Sequence, residues 1–182
     1  MSLLIPSTTK TCPCQINPLT ETDSPLSYQD CCQPYHESLV APDAERLMRS
    51  RYSAFVLVLP EYIVKTTVPA QQALLDIDAI ESWAKETDWA GLEIVKHIPK
   101  LGKRHAQVEF KAYFNAKDNA NDLGGKIQAH HELSTFVIVK DKTNNDARWY
   151  FLDPTVAMTV TQKQPCICGS GEKFKRCCGM YL

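Results

Sequence analysis

The side chains best suited to chemistry are eight cysteine thiols, which lie in two groups near the ends of the chain. The C-terminal group occupies PCICGSGEKFKRCCG (165–179), where a C-x-C pair precedes two adjacent cysteines. The N-terminal group repeats that order in CPCQINPLTETDSPLSYQDCC (12–32). Four thiolates can hold Zn²⁺ or an iron–sulfur cluster, and thiols can also form disulfides or a redox pair. The two groups are Cys12, Cys14, Cys31 and Cys32, and Cys166, Cys168, Cys177 and Cys178.

The expected compartment and the cysteine spacing argue against two of these four chemistries. The first residues, MSLLIPSTTK, contain no signal-peptide core, and no segment is long and apolar enough to span a bilayer. We therefore expect a cytoplasmic protein whose thiols stay reduced, which disfavours disulfides. Adjacent cysteines cannot pair without strain, and a redox pair usually has C-x-x-C spacing. Zinc is favoured, with an iron–sulfur cluster as the alternative.

The C-terminal group has the features of a small tetrathiolate zinc module. Gly169 and Gly171 allow the chain to reverse at positive φ, and EKFKR can form a short helical turn that returns the last two sulfurs. A module of this size cannot bury its own core, so the metal would hold it together. The N-terminal group has a longer insert without glycine, and His36 could replace one sulfur or be an ordinary surface histidine. One or two zinc ions are expected.

The charge pattern gives little support to nucleic-acid binding. The chain has a formal net charge of −1, so there is no global basic field. Residues 163–182 carry a net charge of +3, but zinc bound by four thiolates is anionic, and the basic residues largely compensate it. Residues 10–37 carry a net charge of −3 before any metal site is counted.

The cysteine-free middle of the chain must position everything else, and it begins with helical patterns. Apolar residues recur at helical spacing from Ala44 to Leu59, with Pro42 predicted at the first helical position and Pro60 as the stop. A shorter helix is predicted over 61–66. A third helix is predicted in PAQQALLDIDAIESWAK, opened by Pro69. Its apolar residues, expected to pack inward, are Leu74, Leu75, Ile77, Ile80 and Trp83.

After Trp89 the pattern changes to the alternation of strands. GLEIVKHIPK and KRHAQVEFKAYFN are predicted strands joined by a hairpin loop, and QAHHELSTFVIVK and ARWYFLD are predicted to follow as two more. DNANDLGGK and DKTNND are predicted loops. Helices followed by an antiparallel meander indicate an α+β fold, and a sheet closed by helices would leave a pocket.

The C-terminal motif resembles a known zinc module. CICGSGEKFKRCCG is similar to the SEC-C motif, named for the tail of the translocation ATPase SecA, where the module engages a chaperone and the ribosome. Further segments along the chain resemble the YchJ-like family. The resemblance implies a curved antiparallel sheet with helices, the cone of nuclear transport factor 2, between SEC-C modules. The implied domain limits are 1–40 for the N-terminal SEC-C-like motif and linker, 41–160 for the nuclear transport factor 2-like domain, and 161–182 for the C-terminal SEC-C motif. The segments are CCQPYHE, APDAERLMRSRYSAFV, WAGLEIV, HHELSTFV and RWYFLD.

The resemblance also has departures. The N-terminal motif lacks the GSG that usually follows the first cysteine pair. HHELSTF stands in place of a more arginine-rich version, and RWYFLDPT lacks the usual glycine after the aspartate.

The best catalytic candidates are His130, His131, Glu132 and Arg148, which strand pairing could bring together. Three of them, His131, Glu132 and Arg148, are predicted to line a possible pocket. Adjacent histidines point to opposite faces of a strand, so at most one can join Glu132. No phosphate-binding loop or nucleophile elbow is present. An enzyme is therefore the less favoured interpretation, and no catalytic residue is assigned.

Three functional hypotheses remain. The first is a zinc-dependent binding or adaptor module for a protein or ribosome-associated partner. The second is an enzyme or small-ligand binder that uses the central pocket. The third is direct nucleic-acid binding through Lys173, Phe174, Lys175 and Arg176, which interleave charge with an aromatic ring.

Overall fold

The structure, a computed structural model, describes residues 10–116, 126–140 and 146–182, and places helices before one antiparallel sheet. The four strands are β1 (Trp89–Leu101), β2 (His105–Asn115), β3 (Ile127–Lys140) and β4 (Ala147–Leu152). They are arranged in the order β1-β2-β3-β4, so the sheet is open. The predicted α+β fold is confirmed. The predicted loop DNANDLGGK, apart from Lys126, and the predicted loop DKTNND, apart from Asp146, lie outside the described residues.

The helices before the sheet are α1 (Gln33–Ser38), α2 (Ala44–Val56), α3 (Pro60–Lys65), α4 (Pro69–Gln72) and α5 (Ile77–Glu86). Asp43 caps α2, and its side chain accepts a hydrogen bond from the backbone N–H of Arg46 at 2.7 Å. The predicted start at Pro42 was therefore wrong, because the residue preceding the capping position lies outside the helix.

The predicted end of α2 was also wrong. The helix ends at Val56, and Val58 has a φ of +56°, which is incompatible with its continuation. Pro60 begins α3 instead of stopping α2, since the fixed φ of proline suits the first helical position. The short helix predicted over 61–66 is present one residue earlier.

The single third helix predicted after Pro69 is two helices. Asp76 has an extended backbone and caps α5, where its carboxylate accepts from the N–H of Ala79 at 3.0 Å. An extended residue at this position separates α5 from α4. Leu74 and Ile77 consequently face solvent, with exposed fractions of 56% and 39%, so their predicted inward packing was wrong.

The two faces of the sheet are covered by different parts of the chain. Val108, Phe110 and Phe136 on the inner face belong to the principal core, together with α2 and the N-terminal cysteines. Val137 and Leu152 point to the outer face, where they pack with the C-terminal cysteines. Irregular pairing along β1, between Trp89 and Leu101, bends the strand around the helices. No helix among the described residues is long and apolar enough to cross a membrane.

Candidate metal centres and the central cavity

The N-terminal cysteines form a compact cluster of four sulfurs, all within 4.8 Å of one another. The Cys14 sulfur lies 3.6 Å from that of Cys12 and 3.5 Å from those of Cys31 and Cys32. The sulfurs of Cys31 and Cys32 are 3.9 Å apart. A tetrahedral Zn²⁺ with bonds of about 2.3 Å places its sulfurs about 3.8 Å apart. These separations fit one tetrahedral ion, whereas a cluster of several irons would spread the thiolates further.

Local structure explains how this cluster forms without the glycines of the C-terminal motif. A short 3₁₀ turn (Pro13–Gln15) begins with proline and brings Cys12 and Cys14 to the same side. The carbonyl of Tyr28 accepts the N–H groups of both Cys31 and Cys32, at 3.2 and 3.1 Å, and fixes the adjacent pair at the start of α1.

Polar groups surround the N-terminal sulfurs although all four cysteines are buried. The Ser53 hydroxyl on α2 lies 3.4 Å from the Cys32 sulfur and 3.5 Å from that of Cys12. The amide of Gln15 donates to the sulfurs of Cys14 and Cys31 at 3.6 Å. Hydrogen bonds to sulfur stabilise thiolates, which are the metal-binding form.

The thiol pKa values respond to this crowding in opposite directions. Hydrogen bonds from Cys14, Cys31 and Cys32 lower the pKa of the Cys12 thiol. The hydrogen bond with Cys12 in turn raises the pKa of the Cys32 thiol, because Cys32 must keep its proton to donate it. A divalent cation at the centre would instead favour the thiolate form of all four cysteines.

His36 neither replaces a cysteine as a metal ligand nor lies free on the surface, so both predictions for this histidine were wrong. Its Nδ1 lies 2.8 Å from the Tyr28 hydroxyl and its Nε2 lies 2.9 Å from the Ser50 carbonyl. Both ring nitrogens are therefore engaged away from the sulfurs, and burial lowers the pKa of His36.

The C-terminal cysteines form a second cluster with sulfurs within 4.8 Å of one another. The sulfurs of Cys168 and Cys177 are 3.7 Å apart, and the backbone N–H of Cys178 donates to the Cys166 sulfur at 3.4 Å. Gly169 has a φ of +78°, as the sequence predicted, and the predicted helical turn is present at Phe174–Arg176. Burial raises the pKa of Cys177 to about 12.

Sequence reasoning missed one residue at this second cluster. His105, at the start of β2, is 3% exposed, and its Nε2 lies 3.6 Å from the Cys178 sulfur and 4.0 Å from that of Cys177. Its ring also contacts that of Tyr181 in a tilted arrangement, with centroids 4.5 Å apart. No local pattern signals this contact, because His105 and Cys178 are 73 residues apart.

Neither cluster has the form of a catalytic metal site. Four cysteine sulfurs fill the tetrahedral positions of one ion, and each cluster is buried. Catalytic zinc keeps a position open for water or substrate, whereas structural zinc does not. The geometry of each cluster therefore suits a structural metal ion better than a catalytic one.

The predicted pocket exists, but only one of its three predicted residues lines it. A cavity of about 450 Å³ lies between α2, α5 and the inner face of the sheet, and Glu132 faces it. Arg148 pairs with Val139 on the outer face, and His131 lies opposite Lys111 on that face, where it contacts Glu109 at 2.8 Å. The prediction that His131 and Arg148 line the pocket was wrong, because the alternation of side chains along a strand places both on the opposite face of the sheet from Glu132.

His130 is the histidine that joins Glu132. Its Nε2 lies 2.9 Å from Glu132 Oε2, while the Ser134 hydroxyl donates to Glu132 Oε1. The three side chains alternate along β3 and all line the cavity. Because Ser134 contacts the carboxylate and not the histidine, this arrangement does not activate a serine nucleophile through a histidine base.

A buried arginine is a second feature that sequence reasoning left unassigned. Arg51 on α2 is 6% exposed and lines the same cavity. Its Nη1 donates to the Ile63 carbonyl at 2.8 Å and to the Thr66 hydroxyl at 2.7 Å, and its guanidinium lies 4.5 Å from the ring centre of Phe151. Burial lowers the pKa of Arg51 to about 10.

Comparison with known families accounts for most of the chain. Residues 5–40 match the N-terminal zinc binding domain of YchJ family proteins, and residues 43–154 match the YchJ middle NTF2-like domain. Residues 163–179 match the SEC-C motif. The resemblance noted in the sequence is thereby confirmed, together with the zinc-binding character of the N-terminal segment; the domain limits 1–40, 41–160 and 161–182 stay predictions.

Individual relatives agree with these matches. A UPF0225 protein of Actinobacillus succinogenes is 47% identical over 96% of this chain and 99% of its own length. The crystal structure of a SEC-C motif containing protein from Psychrobacter arcticus has a TM-score of 0.89 at 71% identity, covering 96% of this chain and 98% of that one. The solution structure of a SEC-C motif containing protein from Rhodopseudomonas palustris has a TM-score of 0.57 at 36% identity, covering 71% and 91%.

Proposed function

This chain belongs to the YchJ family of UPF0225 proteins, and from that premise we propose that it is a zinc-stabilised adaptor for a protein or ribosome-associated partner. In this proposal the ions do no chemistry, and they fix the backbone of the two terminal segments. The C-terminal SEC-C segment provides the surface that the partner contacts.

The observation that carries the proposal is the surface of the C-terminal segment. Lys173, Lys175 and Arg176 are exposed on a backbone whose cysteines are buried. Met180 and Leu182 are also exposed, at 57% and 48%. Apolar side chains beside a basic edge are suited to a protein surface that combines apolar and acidic groups.

The same geometry disfavours nucleic-acid binding by base stacking. Phe174, the aromatic residue of the KFKR sequence, is 4% exposed and packs within the module. A buried ring cannot stack on a base, so the aromatic contribution expected in the third hypothesis is missing.

Ribosome co-sedimentation tests the adaptor function directly. Purified bacterial ribosomes should carry the wild-type protein into the pellet at low salt, and Lys175→Glu/Arg176→Glu should reduce that fraction several-fold while metal content is retained. Lys65→Glu/Lys96→Glu, at exposed lysines outside the segment, is the matched control. A pulldown with the same variants covers protein partners. Binding that survives both the charge reversal and Cys177→Ser/Cys178→Ser would contradict the proposal.

Elemental analysis of the purified protein tests the metal. We infer that each cluster holds one zinc ion, because each set of sulfurs matches the size of a single tetrahedral site. Two zinc equivalents per chain are expected. Iron at either site, or zinc at fewer than two sites in protein purified under reducing conditions, would contradict this assignment.

The central cavity supports a second candidate function, the binding of a small molecule. Its volume of about 450 Å³ lies within the range of ligand pockets, and apolar side chains form most of its lining, with charged and polar groups among them. Binding is better supported than catalysis, since the Glu132 network contains no activated nucleophile.

A further inference from the structure

The side chains that line the central cavity indicate which class of ligand it takes. We propose that the cavity binds a small organic cation with an aromatic or aliphatic body. The inference rests on the second candidate function, that the cavity takes a ligand, and it names the class of that ligand. Three features carry it: an aromatic wall, an excess of carboxylates, and an arginine whose guanidinium already has hydrogen-bond partners in the protein.

The aromatic wall of the cavity consists of Phe55 on α2, Trp83 on α5 and Trp89 at the start of β1. Phe55 and Trp83 meet edge to face with ring centres 4.8 Å apart, and Trp83 meets Trp89 in the same way at 5.2 Å. The indole N–H of Trp89 donates to the Ala84 carbonyl at 3.2 Å, which fixes that ring. Tryptophan and phenylalanine rings attract cations through their negative faces.

Trp83 is unusual among these residues because it is both exposed and part of the cavity wall. Its exposed fraction is 47%, although a large apolar side chain on an amphipathic helix is normally buried. An exposed indole at the edge of a cavity can pack against a ligand that enters it. This placement agrees with a binding role for the ring and not with a role in the core.

The charges that line the cavity favour a positive ligand. The carboxylates of Asp76, Glu132 and Asp153 line the cavity together with one guanidinium, that of Arg51, which gives a formal charge of −2 when histidines are left out of the count. Arg51 is engaged by its own surroundings through the Ile63 carbonyl, the Thr66 hydroxyl and the Phe151 ring. An anionic ligand would therefore meet more negative than positive charge.

Glu132 is the group that would contact the cationic nitrogen. One of its oxygens accepts from His130 and the other from Ser134. A carboxylate oxygen can accept two hydrogen bonds, so each retains capacity for a donor from the ligand. The neighbours also hold the carboxylate in place, which lowers the entropic cost of binding. A charge-assisted contact here would lie in the same cavity as the indole rings.

Three probes of nearly the same size test the class of ligand: benzylammonium, benzyl alcohol and benzoate. We expect benzylammonium to bind about tenfold more tightly than benzyl alcohol, and benzoate to bind least, as measured by titration with NMR detection of the tryptophan side chains. Glu132→Gln should remove about tenfold of the benzylammonium affinity and leave that of benzyl alcohol unchanged. Trp83→Leu should weaken the binding of both benzylammonium and benzyl alcohol.

Glu109→Gln is the matched control, because Glu109 is a carboxylate on the outer face with a comparable histidine partner, His131 at 2.8 Å. It should leave every affinity unchanged. Tighter binding of benzoate or benzyl alcohol would overturn the cation assignment while keeping the cavity as a ligand site. Binding of none of the probes would overturn both, and equal effects of Glu109→Gln and Glu132→Gln would place the cation elsewhere.

Discussion

At the scale of single residues, the sulfurs depend on polar neighbours that are distant in the sequence. Ser53 contacts two sulfurs of the N-terminal cluster, and His105 contacts two of the C-terminal cluster. Neighbours of this kind orient metal ligands and stabilise their charged form. The two clusters therefore have similar sulfur geometry but different protein environments, so that loss of a ligand should have different consequences at each end.

Replacement of one ligand in each cluster separates the two sites. Cys32→Ser and Cys178→Ser should each lose one metal equivalent, and Cys32→Ser should lose more stability, about 4 kcal/mol or more, because Cys32 lies in the principal core. Elemental analysis and urea unfolding measure the two quantities. Equal destabilisation by both variants would contradict the larger structural role of Cys32, and loss of both metals from either variant would contradict separate sites.

His105 provides a prediction about metal retention. His105→Phe keeps a ring that can pack against Tyr181 but removes the nitrogen near the Cys178 sulfur, so metal affinity at the C-terminal site should fall about tenfold. Competition with a chelator, followed by ¹¹³Cd NMR so that the two sites are distinguished, measures this effect. The N-terminal signal should not change, and His131→Phe, at an exposed histidine on the outer face, should leave both signals unchanged. An unchanged affinity at the C-terminal site would show that the nitrogen has no role there.

At the scale of elements, the segment that contains the N-terminal cysteines contacts the sheet closely through its backbone. The N–H of Leu92 on β1 donates to the Ile16 carbonyl at 2.8 Å. Gly91 precedes it with a φ of +151°, and a Cβ atom there would lie 2.6 Å from both the Ile16 carbonyl oxygen and Pro18. Only glycine permits this approach, since it lacks the Cβ atom and adopts such a φ.

Gly91→Ala should therefore cost about 3 kcal/mol or more of unfolding free energy, because strain and a clash with backbone act together. Gly102→Ala is the matched control. Gly102 also has a positive φ, +62°, but a Cβ there would meet nothing closer than 3.8 Å, so its cost should be about 1 kcal/mol. Urea denaturation of both variants measures the difference. Equal losses of unfolding free energy in the two variants would mean that the close approach of Ile16 to β1 adds nothing to the cost of Gly91→Ala.

At the scale of the whole molecule, the two cysteine-containing segments have unequal structural roles. The N-terminal cysteines share a core with α2 and the inner face of the sheet, whereas the C-terminal cysteines pack on the outer face with Val137 and Leu152. The central cavity lies on the inner side. The N-terminal segment should thus be required for folding of the central domain, and the C-terminal segment should mainly cover one face of the sheet.

Truncation tests this asymmetry. A chain without residues 163–182 should remain folded at reduced stability, because the principal core is intact, while a chain without residues 1–40 should not fold. Far-UV circular dichroism and the dispersion of amide NMR signals measure the outcome. A folded chain without 1–40, or an unfolded chain without 163–182, would reverse the assigned roles.

The sequence by itself determined the elements with strong local signals. C-x-C spacing with adjacent cysteines predicted two groups of four sulfurs, and helical spacing followed by strand alternation predicted the α+β fold. The two glycines of the C-terminal motif predicted its reversal, which their positive φ values confirm. These features follow from neighbouring residues, whose bond geometry and periodicity act within a few positions of the chain.

Only the tertiary structure decided which distant side chains meet. The pairing of Val139 with Arg148 places that arginine away from Glu132, and the packing of β2 against the C-terminal segment brings His105 to the sulfurs. Arg51 lies in the cavity because α2 packs across the inner face. Strand register and layer packing determine these contacts, and they result from interactions summed over the whole core, which no local pattern contains.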